Sequence, residues 1–144
     1  MILIDANILI YAYDEASRQH RSARGWLAGA LAGPTAVCFS WIAIMAFVRV
    51  TTNRKLFVKP YSTDEAFSVV ENWLSAPASK LVSPGPEHLR IVKQIAHESG
   101  VLGADLTDAH LAAIAVEYNL QLATTDRDFL SFDGLRIVNP LAEV

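Results

Sequence analysis

Five short apolar runs, at 1–5, 35–39, 80–83, 120–124 and 135–138, punctuate the chain, and most of the segments between them carry helical patterning. Strand-length β-branched runs alternating with helices leave few ways to fold. Residues 17–32 read as a helix stopped by Gly33 and Pro34. Ser40 is placed to cap a helix over 41–52. Ser62 and Glu65 form a capping box before a helix that runs to about Leu74. Residues 86–99 form a helix closed by Gly100, and Asp105 is placed to cap another over 106–119. The stretch "ANILIYAYDE" after the first run reads as a short helix or turn. Such alternation implies right-handed crossovers and a mainly parallel sheet of four to five strands, sandwiched by helices in an α/β domain over residues 1–144. Strand order does not follow from the pattern.

Composition narrows the function. Hydrophobic residues make up 52% of the 144, enough for a sizeable core, so disorder is not expected. The formal net charge is −3, so any attraction to phosphate must be local or carried by a metal ion. The single cysteine, Cys38, excludes an internal disulfide; within "AVCF" it reads as a core residue and fits a reducing compartment. No stretch approaches the roughly 18 uninterrupted apolar residues of a membrane span. No basic segment precedes the first apolar run, so the expectation is a cytoplasmic domain without a membrane association.

A parallel sheet ends all its strands at one edge, the connecting helices begin at that edge, and ligands bind there. Asp5 ends the first strand, Asp126 follows the fourth after "ATT", Asp128 lies just beyond, and Asp108 sits in the first turn of the helix after "GADL", with Asp105 at its cap. The topology therefore gathers acids from distant parts of the chain. Two like charges about 4 Å apart repel by roughly 4 kcal/mol at an effective dielectric near 20. A proton or a cation relieves that repulsion, and oxygen-only ligands suit Mg²⁺ or Mn²⁺ rather than zinc. Such an ion polarises phosphoryl oxygens, which points to phosphodiester hydrolysis. Each acid also has a plainer role. Asp5 and Asp105 can cap helices, Asp108 can complement a helix dipole, and "TDRD" can be an Asp turn.

The residues "LIDANILIYAYDE", "SWIAIMAFVRVTTN", "LTDAHLAAIAVEYNLQLATTDRDF" and "LRIVNPL" resemble, in this order, the PIN-domain family, and within it the VapC-type toxins of bacterial toxin–antitoxin pairs. The resemblance implies a PIN-like (Rossmann-like) sheet and a Mg²⁺- or Mn²⁺-dependent endoribonuclease. It also implies a homodimer and a cognate antitoxin that holds the enzyme inactive. It matches Asp5, Asp108 and Asp126 to the catalytic and metal-binding aspartates, with Asp128 a further metal ligand. Thr125 matches a position that often supplies a hydroxyl near the metal, and Asn7 looks like a supporting amide. Asp105 is a candidate to compensate for the family's usual helix glutamate. That glutamate is absent: the matching positions are Ile42 and Ala46, four apart on one helical face.

RNA approaching an acidic pocket needs flanking cations. Arg49, Arg54 and Lys55 are the candidate substrate-binding residues, with Arg49 in "FVRV" expected to hold a positioned role. Arg18, Arg21 and Arg24 share a helical side that reads equally as a solvated face. His110, two residues after Asp108, faces away from it and reads as a packed or hydrogen-bonded histidine. Trp26, Trp41 and Trp73 read as core or interface residues. Two other function classes compete. One is a PIN fold without catalysis that binds antitoxin or RNA, favoured by Ile42 and Ala46. The other is an aspartyl phosphotransfer fold, disfavoured because Asn7 stands where a second aspartate belongs and "RIVNPL" offers no lysine.

Overall fold

The computed structural model describes residues 1–142. Each apolar run becomes a short strand: β1 (Ile2–Ile4), β2 (Val37–Ser40), β3 (Ser79–Val82), β4 (Gln121–Ala123) and β5 (Ile137–Val138). All are parallel, in the order β3-β2-β1-β4-β5. Among the described residues they are joined by α1 (Ala6–Tyr11), α2 (His20–Ala32), α3 (Trp41–Thr51), α4 (Thr63–Ser75), α5 (His88–Ser99) and α6 (Asp105–Glu117). The expected helix-covered parallel sheet is the one that forms. The Asp turn expected in "TDRD" forms, Asp126 Oδ1 accepting the Asp128 N–H, and opens a 3₁₀ helix, Arg127–Ser131.

Local chemistry sets most boundaries. Ser40 accepts the Ala43 N–H at 3.3 Å and starts α3. Ser62 and Glu65 satisfy each other's backbone N–H groups, each at 3.1 Å, as a complete capping box for α4. Gly100, at φ 70°, ends α5 in the left-handed region open to glycine. The expectation that Asp105 caps α6 is corrected: Ala104 holds the cap position, no side chain caps it, and Asp105 is the first helical residue. From there its carboxylate complements the helix dipole instead. Helix α2 starts at His20 rather than 17, because Ser17 N–H bonds the Asp14 carbonyl at 3.0 Å in a preceding turn.

Period-2 alternation divides the core in two. Ile4, Val37, Phe39 and Ala123 point to the face covered by α1 to α4. Leu3, Cys38 and Leu122 point to the face covered by α5 and α6. The first core is aromatic. Phe39 stacks on Trp73 with centroids 5.6 Å apart, Phe47 meets Trp73 edge-on at 4.6 Å, and Trp73 Nε1 donates to the Tyr13 hydroxyl at 3.0 Å. The second is mainly aliphatic, with Leu3, Ile114 and Leu122 at its centre, and α6 adds the fully buried Ala109, Ala112, Ala113 and Ala115. Cys38 is a core residue, as expected, and burial pushes its thiol pKa up.

Strand order locates the crevice. From β1 the chain moves through β2 to β3 on one side, then returns to β4 and β5 on the other. The segments leaving β1 and β4 therefore diverge, and a topological switch point opens between them at the carboxyl edge.

Candidate active site

Asp5 follows β1 directly and remains tied to the neighbouring strand, its N–H bonding the Ala123 carbonyl at 2.9 Å. Its carboxylate is nearly buried, at 9% exposure. Oδ1 accepts the Ala6 N–H at 2.7 Å, capping α1, and Oδ2 accepts the Thr124 hydroxyl at 2.7 Å. The Thr124 oxygen in turn accepts the Asp126 N–H at 3.0 Å. The Thr124 hydroxyl donates its one proton to Asp5 and accepts from Asp126. Buried Thr124 thus latches the turn after β4 to the turn after β1. Asp126 Oδ1 accepts the Asp128 N–H at 2.9 Å and begins the 3₁₀ helix.

Asp5, Asp108 and Asp126 line one pocket of about 250 Å³. Asn7 shares it, and the α3 wall contributes Ile42 and Ala46. The two positions that the sequence placed on one helical face do face this pocket, and neither brings an oxygen. His110 points elsewhere, with Nδ1 2.9 Å from His88 Nε2, as a hydrogen-bonded histidine should. Burial and the neighbouring His88 push its pKa down.

The acids strain against one another. Burial pushes the Asp5 pKa up, the Thr124 and Ala6 hydrogen bonds pull it down, and the charge on Asp126 raises it again. Asp108 is pushed up to about 6, by burial first and then by Asp126, Asp5, Asp105 and Asp128. Among the described residues no three Asp, Glu, His or Cys side chains close into a ready-made chelate. That is consistent with a shared pocket, because like charges repel and each carboxylate takes the hydrogen bond nearest to it: Asp5 to Ala6 and Thr124, Asp126 to Asp128. The donor set is oxygen-only and its charge is uncompensated within the pocket, which fits a hard divalent cation.

Other expected site residues lie apart from this group. Asp105 and Asp128 line an adjoining depression of about 370 Å³ that shares Asp108 with the pocket. Asp128 is turned out there by the 3₁₀ helix. The hydroxyl that reaches Asp5 belongs to Thr124 rather than Thr125, because the Ile4–Ala123 register makes the next neighbours Asp5 and Thr124. The candidate substrate-binding cations Arg49, Arg54 and Lys55 are all exposed, and none lines either hollow. Arg49 continues the outward stripe of Trp41 and Met45 on α3, and among the described residues it joins no ion pair. Arg54 and Lys55 lie in the turn beyond that helix. Arg24 lies over the Tyr13 ring at 5.3 Å, a cation–π packing contact. Sequence reasoning missed Arg127, which lines the adjoining depression; inside "TDRD" it was hidden by the acids on both sides.

Comparison with known proteins agrees with this geometry. The sequence matches the PIN domain family over residues 2–135. It is 41% identical over 143 residues to Ribonuclease VapC37 of Mycobacterium tuberculosis, covering 99% of each chain. It is 34% identical over 143 residues to Ribonuclease VapC33 of the same organism, covering 99% of this chain and 100% of that one. Among solved structures, VapBC2 from Rickettsia felis, bound to a promoter DNA fragment, superposes with a TM-score of 0.71 at 18% identity, covering 96% of this chain and 98% of that one. The Mycobacterium tuberculosis toxin VapC20, described as cleaving the sarcin-ricin loop, superposes with a TM-score of 0.66 at 14% identity, covering 94% and 99%. At those identities the structural likeness speaks for the fold.

Proposed function

The chain belongs to the PIN-domain family, and from that premise we infer that it is a VapC-type endoribonuclease that hydrolyses phosphodiester bonds in RNA. The observation that carries this reading is the meeting of Asp5, Asp108 and Asp126, more than a hundred residues apart at the extremes, in one pocket at the switch point.

Asp5, Asp108 and Asp126 would hold Mg²⁺ or Mn²⁺, with Asn7 as a supporting amide and Thr125, Asp105 and Asp128 as outlying contributors. When bound, the ion supplies Lewis acidity toward the phosphodiester and its water nucleophile. The chain's own residues prepare that chemistry. Thr124 holds the Asp5 oxygens in place, and its hydrogen bond opposes the upward push that burial gives the Asp5 pKa. Asp108, pushed up to about 6, titrates close to neutrality, so protons and cations compete there. The α3 wall, with Ile42 and Ala46, excludes water without adding charge. Only a splayed single strand can enter a pocket of about 250 Å³, so a loop or unpaired RNA segment is the substrate class.

The partners follow the same reading. A cognate antitoxin would hold the toxin inactive, in keeping with relatives solved as toxin–antitoxin complexes. A homodimer is supported by the exposed apolar side chains of Trp41 and Met45 on α3, with Trp41 following Ser40, the register partner of Val82 on edge strand β3. Light scattering on the wild type and Trp41→Asp tests it: equal monomer masses for both would reject the dimer. The cytoplasm is the proposed compartment, and no helix among the described residues is long and apolar enough to cross a membrane.

The direct test of the activity is RNA cleavage in Mn²⁺ by the wild type and Asp5→Asn. Cleavage by the wild type alone is expected, and equal cleavage by both would reject the site.

A further inference from the structure

Resting on the ribonuclease reading, we propose that Arg127 binds a phosphate of the RNA strand next to the scissile one, in the depression that adjoins the acid pocket.

Three observations carry it. First, the depression lined by Arg127, Asp105, Asp128 and Ser131 shares Asp108 with the acid pocket, so a strand whose scissile phosphate sits among Asp5, Asp108 and Asp126 passes directly into it. At about 370 Å³ it has room for a nucleotide rather than an ion alone. Second, Arg127 is the one cation lining either hollow among the described residues. Among the side chains lining the two hollows, only Arg127 attracts a polyanion, and Arg49, Arg54 and Lys55 lie outside both. Third, the guanidinium is unspent. Although acids precede and follow it in sequence, among the described residues it makes no ion pair within 4.0 Å. The local backbone explains why. Asp126 turns its Oδ1 to the Asp128 N–H at 2.9 Å, and the Asp128 carbonyl accepts the Ser131 hydroxyl at 2.9 Å, which fixes the turn around an exposed Arg127.

A planar guanidinium suits a phosphate because it offers paired N–H donors in a fixed fork. Because it would grip a flanking nucleotide in both the ground and transition states, Arg127 is a substrate-positioning residue, and its loss should appear in KM more than in kcat.

The experiment measures binding of a short fluorescein-labelled single-stranded RNA of random sequence by anisotropy, with Ca²⁺ in place of Mg²⁺, across a salt series. Wild type, Arg127→Ala and Arg127→Lys are compared, with Mn²⁺-supported cleavage kinetics in parallel. Arg127→Ala should weaken RNA binding about tenfold and reduce the slope of log affinity against log salt by about 0.7, the contribution of one phosphate contact on a single strand. KM should rise with kcat little changed. Arg127→Lys should keep the slope and recover only part of the affinity, since a point charge replaces the fork. If Arg127→Ala instead keeps the wild-type affinity and slope, the subsite is overturned, even if the variant's melting temperature changes. If the wild type itself neither binds nor cleaves RNA, the ribonuclease reading fails and the subsite fails with it. The two failures differ in whether the wild type is active.

Discussion

The aromatic core beneath α1 to α4 and the acid rim at the ends of β1 and β4 are built on the same strands, with Ile4 in one and Asp5 in the next residue along, yet they follow opposite rules. In the core each neighbour lowers the energy of the next. Trp73, Phe39, Phe47 and Tyr13 interlock, and the one polar atom of the indole is satisfied. At the rim each neighbour raises it, and four other carboxylates contribute to holding Asp108 at about 6. The core supplies the stability against which the rim can hold its unfavourable charge, and on the proposed function that charge is what a divalent cation would recognise.

The largest effect should come from breaking the core. Trp73→Ala removes a side chain that is 1% exposed together with its hydrogen bond to Tyr13, and should destabilise by about 3–5 kcal/mol. Urea denaturation would read this as a lower midpoint, and a loss under about 1 kcal/mol would mean that the aromatic cluster matters little. Asp126→Asn probes the rim next. The amide oxygen can still accept the Asp128 N–H, so the fold should persist, while RNA cleavage in Mn²⁺ falls by about 10²-fold or more, roughly 3 kcal/mol of lost transition-state stabilisation. A denaturation midpoint that fell as steeply as the activity would show the rim to be structural after all.

The same contrast explains what the sequence could reveal. Core and caps are local or periodic facts: the apolar runs that become strands, the Ser62–Glu65 box, the Gly100 stop and the Ser40 cap all stand where the pattern predicts. The convergence of Asp5, Asp108 and Asp126 was legible because a parallel sheet delivers every strand end to one edge whatever the strand order. Thr124 was not legible, because its bond to Asp5 depends on β4 lying beside β1, a pairing that no local pattern encodes. Arg49 misled because an apolar neighbourhood in sequence does not say which side of a helix a residue takes; it lies on the exposed side. Asp105 misled by one residue, the usual uncertainty of a helix start.

Ala46 sharpens the comparison from the other side, since it is a core-like residue in the wall of the acid pocket. Ala46→Glu should add a fourth carboxylate and tighten Mn²⁺ binding by about tenfold, close to 1.4 kcal/mol, as read by calorimetric titration. It should also lower the melting temperature of the metal-free protein, because it adds like charge. Unchanged Mn²⁺ affinity would show that the α3 wall lies too far from the ion to matter.

The smallest effect carries the clearest sign. Asp108 has a pKa pushed up to about 6 in the folded chain from the ordinary aspartate value of 3.8, so between about pH 4 and 6 the folded state binds more protons than the unfolded one. Stability from this group is therefore complete below pH 4 and lost as the pH rises through 6. Two pKa units would correspond to about 3 kcal/mol, but the carboxyl keeps contact with water and solvent screening reduces that to about 1 kcal/mol. Asp108→Asn is neutral throughout and escapes the loss. In EDTA at pH 8 the variant should melt about 3 °C above the wild type, and at pH 4 the gap should close. In Mg²⁺ the order at pH 8 should shrink or reverse, because the wild type alone retains its full set of ligands. If the variant in EDTA melted lower at both pH values, Asp108 would be an ordinary stabilising carboxylate, and the opposition between core and rim would not hold at that residue.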